Sequence, residues 1–165
     1  MATTGYSGTP LPQKLGIKEG HRVALVAAPP GFELGMLPTG ATVRAGLGRG
    51  TIPLDVIVTF VKEREVLISE IAAARPRMEQ AAGLWIAWPK KSSGVSTDIV
   101  EDTIREVALP TGLVDNKVCA IDDTWSGLRL VIRKELRTPT PKPSPPTVTS
   151  PATARTKARR RASSR

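Results

Sequence analysis

LDVIVTFV at residues 54–61, KEREVLISEIAAA at 62–74 and GLWIAWP at 83–89 form the stretch on which the fold turns. The first piece is a continuous apolar run entered by Pro53, as expected for a strand covered on both faces. From Glu63 the apolar positions move to helical spacing, with Leu67, Ile71 and Ala74 on one face. Glu63, Glu65 and Glu70 load the early turns with negative charge, which the N-terminal end of a helix dipole favours. Pro76 cannot continue an unbroken helix, because its ring meets the carbonyl four residues back. LWIAW then returns to a buried apolar run and stops at Pro89. A strand, a helix and a second buried strand imply a crossover between parallel neighbours.

Working outward, RVALVAA at 22–28 is another apolar run, bounded by Gly20 before and by Pro29, Pro30 and Gly31 after. It reads as the first strand. Residues 32–37 suggest a short helix and ATVRA at 41–45 a short strand near a sheet edge. Beyond Pro89, KKSSGVST at 90–97 is a loop, and Asp98 with Glu101 three residues later resembles a capping box opening a helix over 99–108. Its core face would be Val100, Ile104, Val107 and Ala108, with Pro110 and Gly112 ending it. KVCAI at 117–121 and LRLVIRK at 128–134, joined by a turn containing Trp125, predict an antiparallel hairpin. The expectation is a small α/β, Rossmann-like domain: a mainly parallel sheet with helices on its faces and a C-terminal antiparallel hairpin.

Residues 1–12 read as a flexible N-terminal arm, 13–137 as the domain, and 138–165 as a disordered Pro/Ser/Thr-rich tail. The net charge is +9, but the tail holds seven basic residues and no acid, so only +2 belongs to residues 1–137. The basic pI therefore describes the tail and gives no reason for the domain itself to grip a polyanion. One cysteine, Cys119, excludes an internal disulfide or a cysteine-based zinc site and fits a reducing, cytoplasmic setting. No window approaches the roughly 20 apolar residues that span a bilayer, so no membrane association is expected.

In open α/β sheets ligands bind beyond the carboxyl ends of the strands. The ligand-binding candidates there are Gly31 and Phe32 after the first strand, and Trp88, Lys90, Lys91, Ser92 and Ser93 around Pro89. Two lysines, two hydroxyls and Gly94 ahead of a helix could hold an anion, although Asp98 sets negative charge beside it. Gly46, Gly48 and Gly50 spell GxGxG but run into Pro53 rather than a helix, which favours a flexible loop. Asp122 and Asp123 suit a general base or metal ligand less well than turn chemistry. Cys119 lies mid-strand, and His21 lies at the opposite end of the first strand from the crevice. No catalytic or metal-binding residue is assigned, and the cofactor is left unknown. Lys157, Arg159, Arg160 and Arg161 are candidates for non-specific, salt-sensitive contact with nucleic acid.

GYSGTPL at 5–11, KLGIK at 14–18, LWIAWPKKSSGVSTD at 84–98, LVDNKVCAID at 113–122 and WSGLRLV at 125–131 together resemble a bacterial family catalogued as domain of unknown function 3052. That resemblance implies no activity. A looser similarity is to class I methyltransferases, whose sheets also pass from a parallel half into an antiparallel terminal hairpin. The departure is at the first strand, which ends in PPGF without the acidic residue and glycine series that hold the cofactor there. The leading functional expectation is a non-catalytic domain binding a small ligand or a protein. The alternatives are a degenerate S-adenosylmethionine-dependent methyltransferase-like enzyme, and an accessory protein held to nucleic acid through its tail.

Overall fold

The run at 54–61 becomes β3 (Leu54–Phe60), whose alternate residues serve two cores. Val56, Val58 and Phe60 face one layer, and Ile57 with Val61 faces the other. The computed structural model describes residues 9–137; residues 1–8 of the expected arm and the expected tail lie outside that range. Around β3 stand β1 (Arg22–Val26), β2 (Thr42–Ala45), β4 (Met78–Pro89), β5 (Leu113–Ala120) and β6 (Trp125–Ile132). They form one six-stranded sheet in the order β2-β1-β3-β4-β6-β5. β1 pairs in parallel with β2 and β3, and β3 with β4. β6 enters antiparallel between β4 and β5, so the hairpin meets the parallel half through its second strand.

β4 runs twelve residues, well beyond the LWIAW core. Its first residue, Met78, pairs with Leu54; residues 79–82 then bulge from the ladder, and Gly83 resumes the pairing at Val56. The preceding helix α2 (Arg64–Ala74) gives way at Arg75–Arg77 to a 3-10 turn containing Pro76, the break that proline demands. α3 (Glu101–Ala108) begins later than the capping-box pattern suggested. The Asp98 carboxylate instead accepts the N–H of Arg64 at 2.8 Å, so it caps α2, and the Val100 N–H donates to Thr103 Oγ1 at 3.2 Å.

The two faces are covered unequally. α2 and α3 both lie on one face, where Leu67, Ile71, Ile104 and Ala108 pack on Ile57, Leu84, Ile86 and Leu128. The crossover helices expected on the sheet's faces thus share one of them. The other face is covered by the short α1 (Leu11–Lys14), the residues after it, and irregular chain between β1 and β2. The helix expected over 32–37 is absent, because Gly31 and Gly35 take positive φ and Pro38 closes the segment. Its apolar residues are still used: Leu34 packs with Leu15 and Ile17 over Val58, Phe60 and Trp85. Trp85 is fully buried, and its indole N–H donates to the Leu15 carbonyl at 3.0 Å. Trp125 is not a turn residue either. It opens β6, pairs opposite Pro89, and is as buried as Trp88.

Candidate functional site

At the end of β1 the chain must turn without a helix to receive it, because Pro29 and Pro30 follow within three residues. Ala27 makes that turn at φ +59°, a left-handed conformation costing a non-glycine residue about 1–2 kcal/mol. Beside it lies a cavity of about 400 Å³, whose walls include Leu25, Ala27, Ala28, Val43, Arg44 and Gly46. It occupies the carboxyl ends of β1 and β2, where open α/β sheets bind ligands, and its volume suits a small molecule. No carboxylate lines it.

Arg44 follows from the strand pattern. It sits opposite Ala24, a residue of the helix face, on the edge strand β2, whose residues are all exposed, so its side chain leaves the strand on that face. Its guanidinium lies against Gly48, and a Cβ at that position would collide with it. The loop 46–52 returns to the start of β3 and is held by the buried Arg77. Arg77 Nη1 donates to the carbonyls of Leu47 at 2.8 Å and Gly48 at 3.1 Å, and its Nε and Nη2 donate to Ile52 at 3.3 and 3.0 Å. GLGRG at 46–50, read as a flexible loop, is thus fixed from below by a guanidinium. One further polar group lies near the end of β3. Thr59 is fully buried, pairs with Val26 at the end of β1, and its hydroxyl has no hydrogen-bond partner among the described residues.

The sequence candidates divide among separate places. Gly31 lies in the turn after β1, and the Phe32 ring meets Phe60 edge-on at 4.9 Å on the irregularly covered face. Trp88 is buried on the helix face. Lys90 anchors a 3-10 turn, Lys91–Ser93: its N–H donates to the Thr124 carbonyl at 2.8 Å, and its own carbonyl accepts the Ser93 hydroxyl at 2.6 Å. Ser93 Oγ also accepts the Val95 N–H at 3.1 Å, so this hydroxyl is engaged in closing the turn. Lys91 and Ser92 are exposed. Lys157, Arg159, Arg160 and Arg161 lie outside the described residues.

The remaining reactive groups offer little catalysis. Asp122 accepts the N–H groups of Thr124 and Trp125 at 2.8 and 2.9 Å, which is turn chemistry. Burial pushes the Cys119 thiol up from its ordinary range, against the opposing pull of Lys14 and Lys117, so the reactive thiolate is disfavoured near neutral pH. No group of His, Cys, Asp or Glu among the described residues is arranged to hold a metal ion. No helix there is long and apolar enough to cross a membrane. Arg44, Arg77 and Thr59 were missed by sequence reasoning, since none belongs to a spaced motif.

No family model and no curated protein matches the chain. Among solved structures, the fold is similar to an S-adenosylmethionine-dependent methyltransferase from Aquifex aeolicus, with TM-score 0.53 and 15% identity, covering 73% of this chain and 87% of that one. Fibrillarin from Aeropyrum pernix, solved with natively bound S-adenosylmethionine, matches with TM-score 0.49 and 14% identity over 78% of this chain and 71% of that one. The Aquifex likeness shows the fold alone: mixed α/β and Rossmann-like. It also corrects the leading functional expectation, because it favours the methyltransferase-like alternative over a non-catalytic binding domain.

Proposed function

We propose that the chain is a degenerate S-adenosylmethionine-dependent methyltransferase-like enzyme that binds a nucleoside-bearing ligand at the carboxyl ends of β1 and β2. The observation that carries this reading is the 400 Å³ cavity at that place, in a sheet whose β6 enters antiparallel between β4 and β5. When bound, S-adenosylmethionine would supply a methyl group on a sulfonium. The fit to it is one of shape and not of charge: Ala27 turns sharply enough to open the cavity, yet the wall offers Arg44 and no carboxylate for ribose hydroxyls. No transfer step is therefore assigned to these residues.

Equilibrium dialysis of the full chain against labelled S-adenosylmethionine tests the reading. Retention that is lost in Ala28→Trp, which fills the cavity, is the expected result. No retention at millimolar concentration would refute it. Membership of the domain of unknown function 3052 family and a cytoplasmic setting belong to the same proposal, supported by the five sequence segments and by the single cysteine. Contact with nucleic acid through the tail, supported by its +7 charge, would be separate from the cavity.

A further inference from the structure

β2 ends the sheet, and its ladder with β1 occupies only alternate residues. The N–H groups of Thr42 and Gly46 donate inward, to the carbonyls of His21 at 2.9 Å and Leu25 at 2.7 Å. By that alternation Val43 and Ala45 turn their N–H and C=O groups to the open edge, a template on which a further strand can pair. Side chains alternate as well, and each face has a cavity beside β2. On the helix face one of about 250 Å³ is lined by Arg22, Thr42 and Arg44 together with Ile52 and Leu54. Neither guanidinium makes a hydrogen bond or ion pair among the described residues; Asp55 accepts the main-chain N–H of Arg22, at 2.8 Å. On the opposite face one of about 360 Å³ has Leu25, Phe32, Leu34, Leu37 and Val43 in its walls, with Glu33 as its charged residue.

We propose that β2 is a docking edge for an extended acidic segment of a partner protein, one in which acidic and apolar side chains alternate. Its main chain pairs with Val43 and Ala45, its carboxylates meet Arg22 and Arg44, and its apolar side chains enter the 360 Å³ cavity, from which Glu33 repels an acid. Charge selects this occupant. Residues 1–8 and 138–165 of the chain contain no acid, and a second copy paired edge to edge would bring its own two guanidiniums to the same face. A nucleic acid strand would use the guanidiniums but neither the apolar cavity nor the edge carbonyls. The inference is independent of any ligand in the 400 Å³ cavity.

Fluorescence anisotropy of the full chain with a labelled peptide of alternating glutamate and valine provides the test. Saturable binding is expected, and it should weaken roughly tenfold or more when the same residues are grouped into a glutamate block and a valine block, or when alternate peptide nitrogens are methylated. Ala45→Pro deletes one outward N–H without touching the ladder to β1, so it should weaken binding roughly three- to tenfold with an unchanged melting temperature. Arg44→Glu should weaken it roughly tenfold or more and bind a lysine–valine peptide instead, a reversal that no loss of folding produces. Joint replacement of Arg159, Arg160 and Arg161 by Ala should leave binding intact. No saturable binding at millimolar peptide would overturn the proposal, as would equal binding of the alternating and grouped peptides, or binding that survives Arg44→Glu but disappears in the tail variant. A dimer in analytical ultracentrifugation that Ala45→Pro dissociates would give the edge to a second copy, and displacement of the peptide from the tail variant by a single-stranded oligonucleotide would give it to nucleic acid; either result overturns it too.

Discussion

β4 and β2 run parallel in one sheet and could hardly differ more. The last eight residues of β4 are buried; it is flanked by β3 and β6 and receives α2 and α3 on one face. β2 has four residues, all exposed, an open outer edge, and irregular chain before and after it. Hydrophobic stabilisation scales with apolar area removed from water, so β4 contributes most to stability and β2 contributes little. That disparity frees β2 to carry a charged side chain at its end. Arg44 can stand on the rim because nothing there needs burying, whereas an unpaired arginine at the same level of β4 would be prohibitively desolvated.

The largest effect should come from the centre. Trp85→Ala removes a fully buried aromatic and leaves the Leu15 carbonyl without its donor, for an expected loss of about 3–5 kcal/mol in urea or thermal unfolding. Trp85→Phe keeps most of the packing and isolates the hydrogen bond, at about 1–3 kcal/mol. If Trp85→Ala cost less than about 1 kcal/mol, the assignment of stability to β4 would be wrong. Next comes the device that joins centre to edge. Arg77→Ala frees three carbonyls of the 46–52 loop and should cost about 2–4 kcal/mol. It should also speed tryptic cleavage after Arg49. Cleavage at the wild-type rate would mean that the loop is held by something other than Arg77.

The same contrast explains what could be read from sequence. β1, β3, β4 and β6 announce themselves as apolar runs, as strands covered on both faces do, whereas the edge strand β5 begins at Leu113, four residues before the expected KVCAI, and of its residues only Leu113 is buried. The irregular cover over Trp85 does not announce itself: Phe32, Leu34 and Leu37 are apolar, and the glycine and proline conformations around them rule out the helix expected there. Asp98 shows a related failure. A capping residue was visible, but the helix that it caps lies 34 positions earlier in sequence, a partnership no local pattern encodes. The rim was least legible of all, because Arg44 and Arg77 come from separate elements and act through backbone carbonyls and a glycine, none of which leaves a spacing to find.

The smallest predicted effect tests whether the edge is strained as well as thinly packed. Ala27 is the only non-glycine residue with positive φ among those described, and it sits where β1 opens into the cavity. Glycine adopts that conformation without the steric cost of a Cβ, worth about 1–2 kcal/mol, but it also enlarges the conformational freedom of the unfolded chain by about 0.4–1 kcal/mol. The first term is the larger, so Ala27→Gly should raise stability by a few tenths to about 1 kcal/mol, seen as a higher urea midpoint with an unchanged slope. Ala27→Val should move the midpoint the other way, since a β-branched side chain tolerates positive φ least. A glycine variant that is less stable than the parent would show that residue 27 does not hold the left-handed turn, and the sharp exit from β1 that opens the cavity would then need another cause.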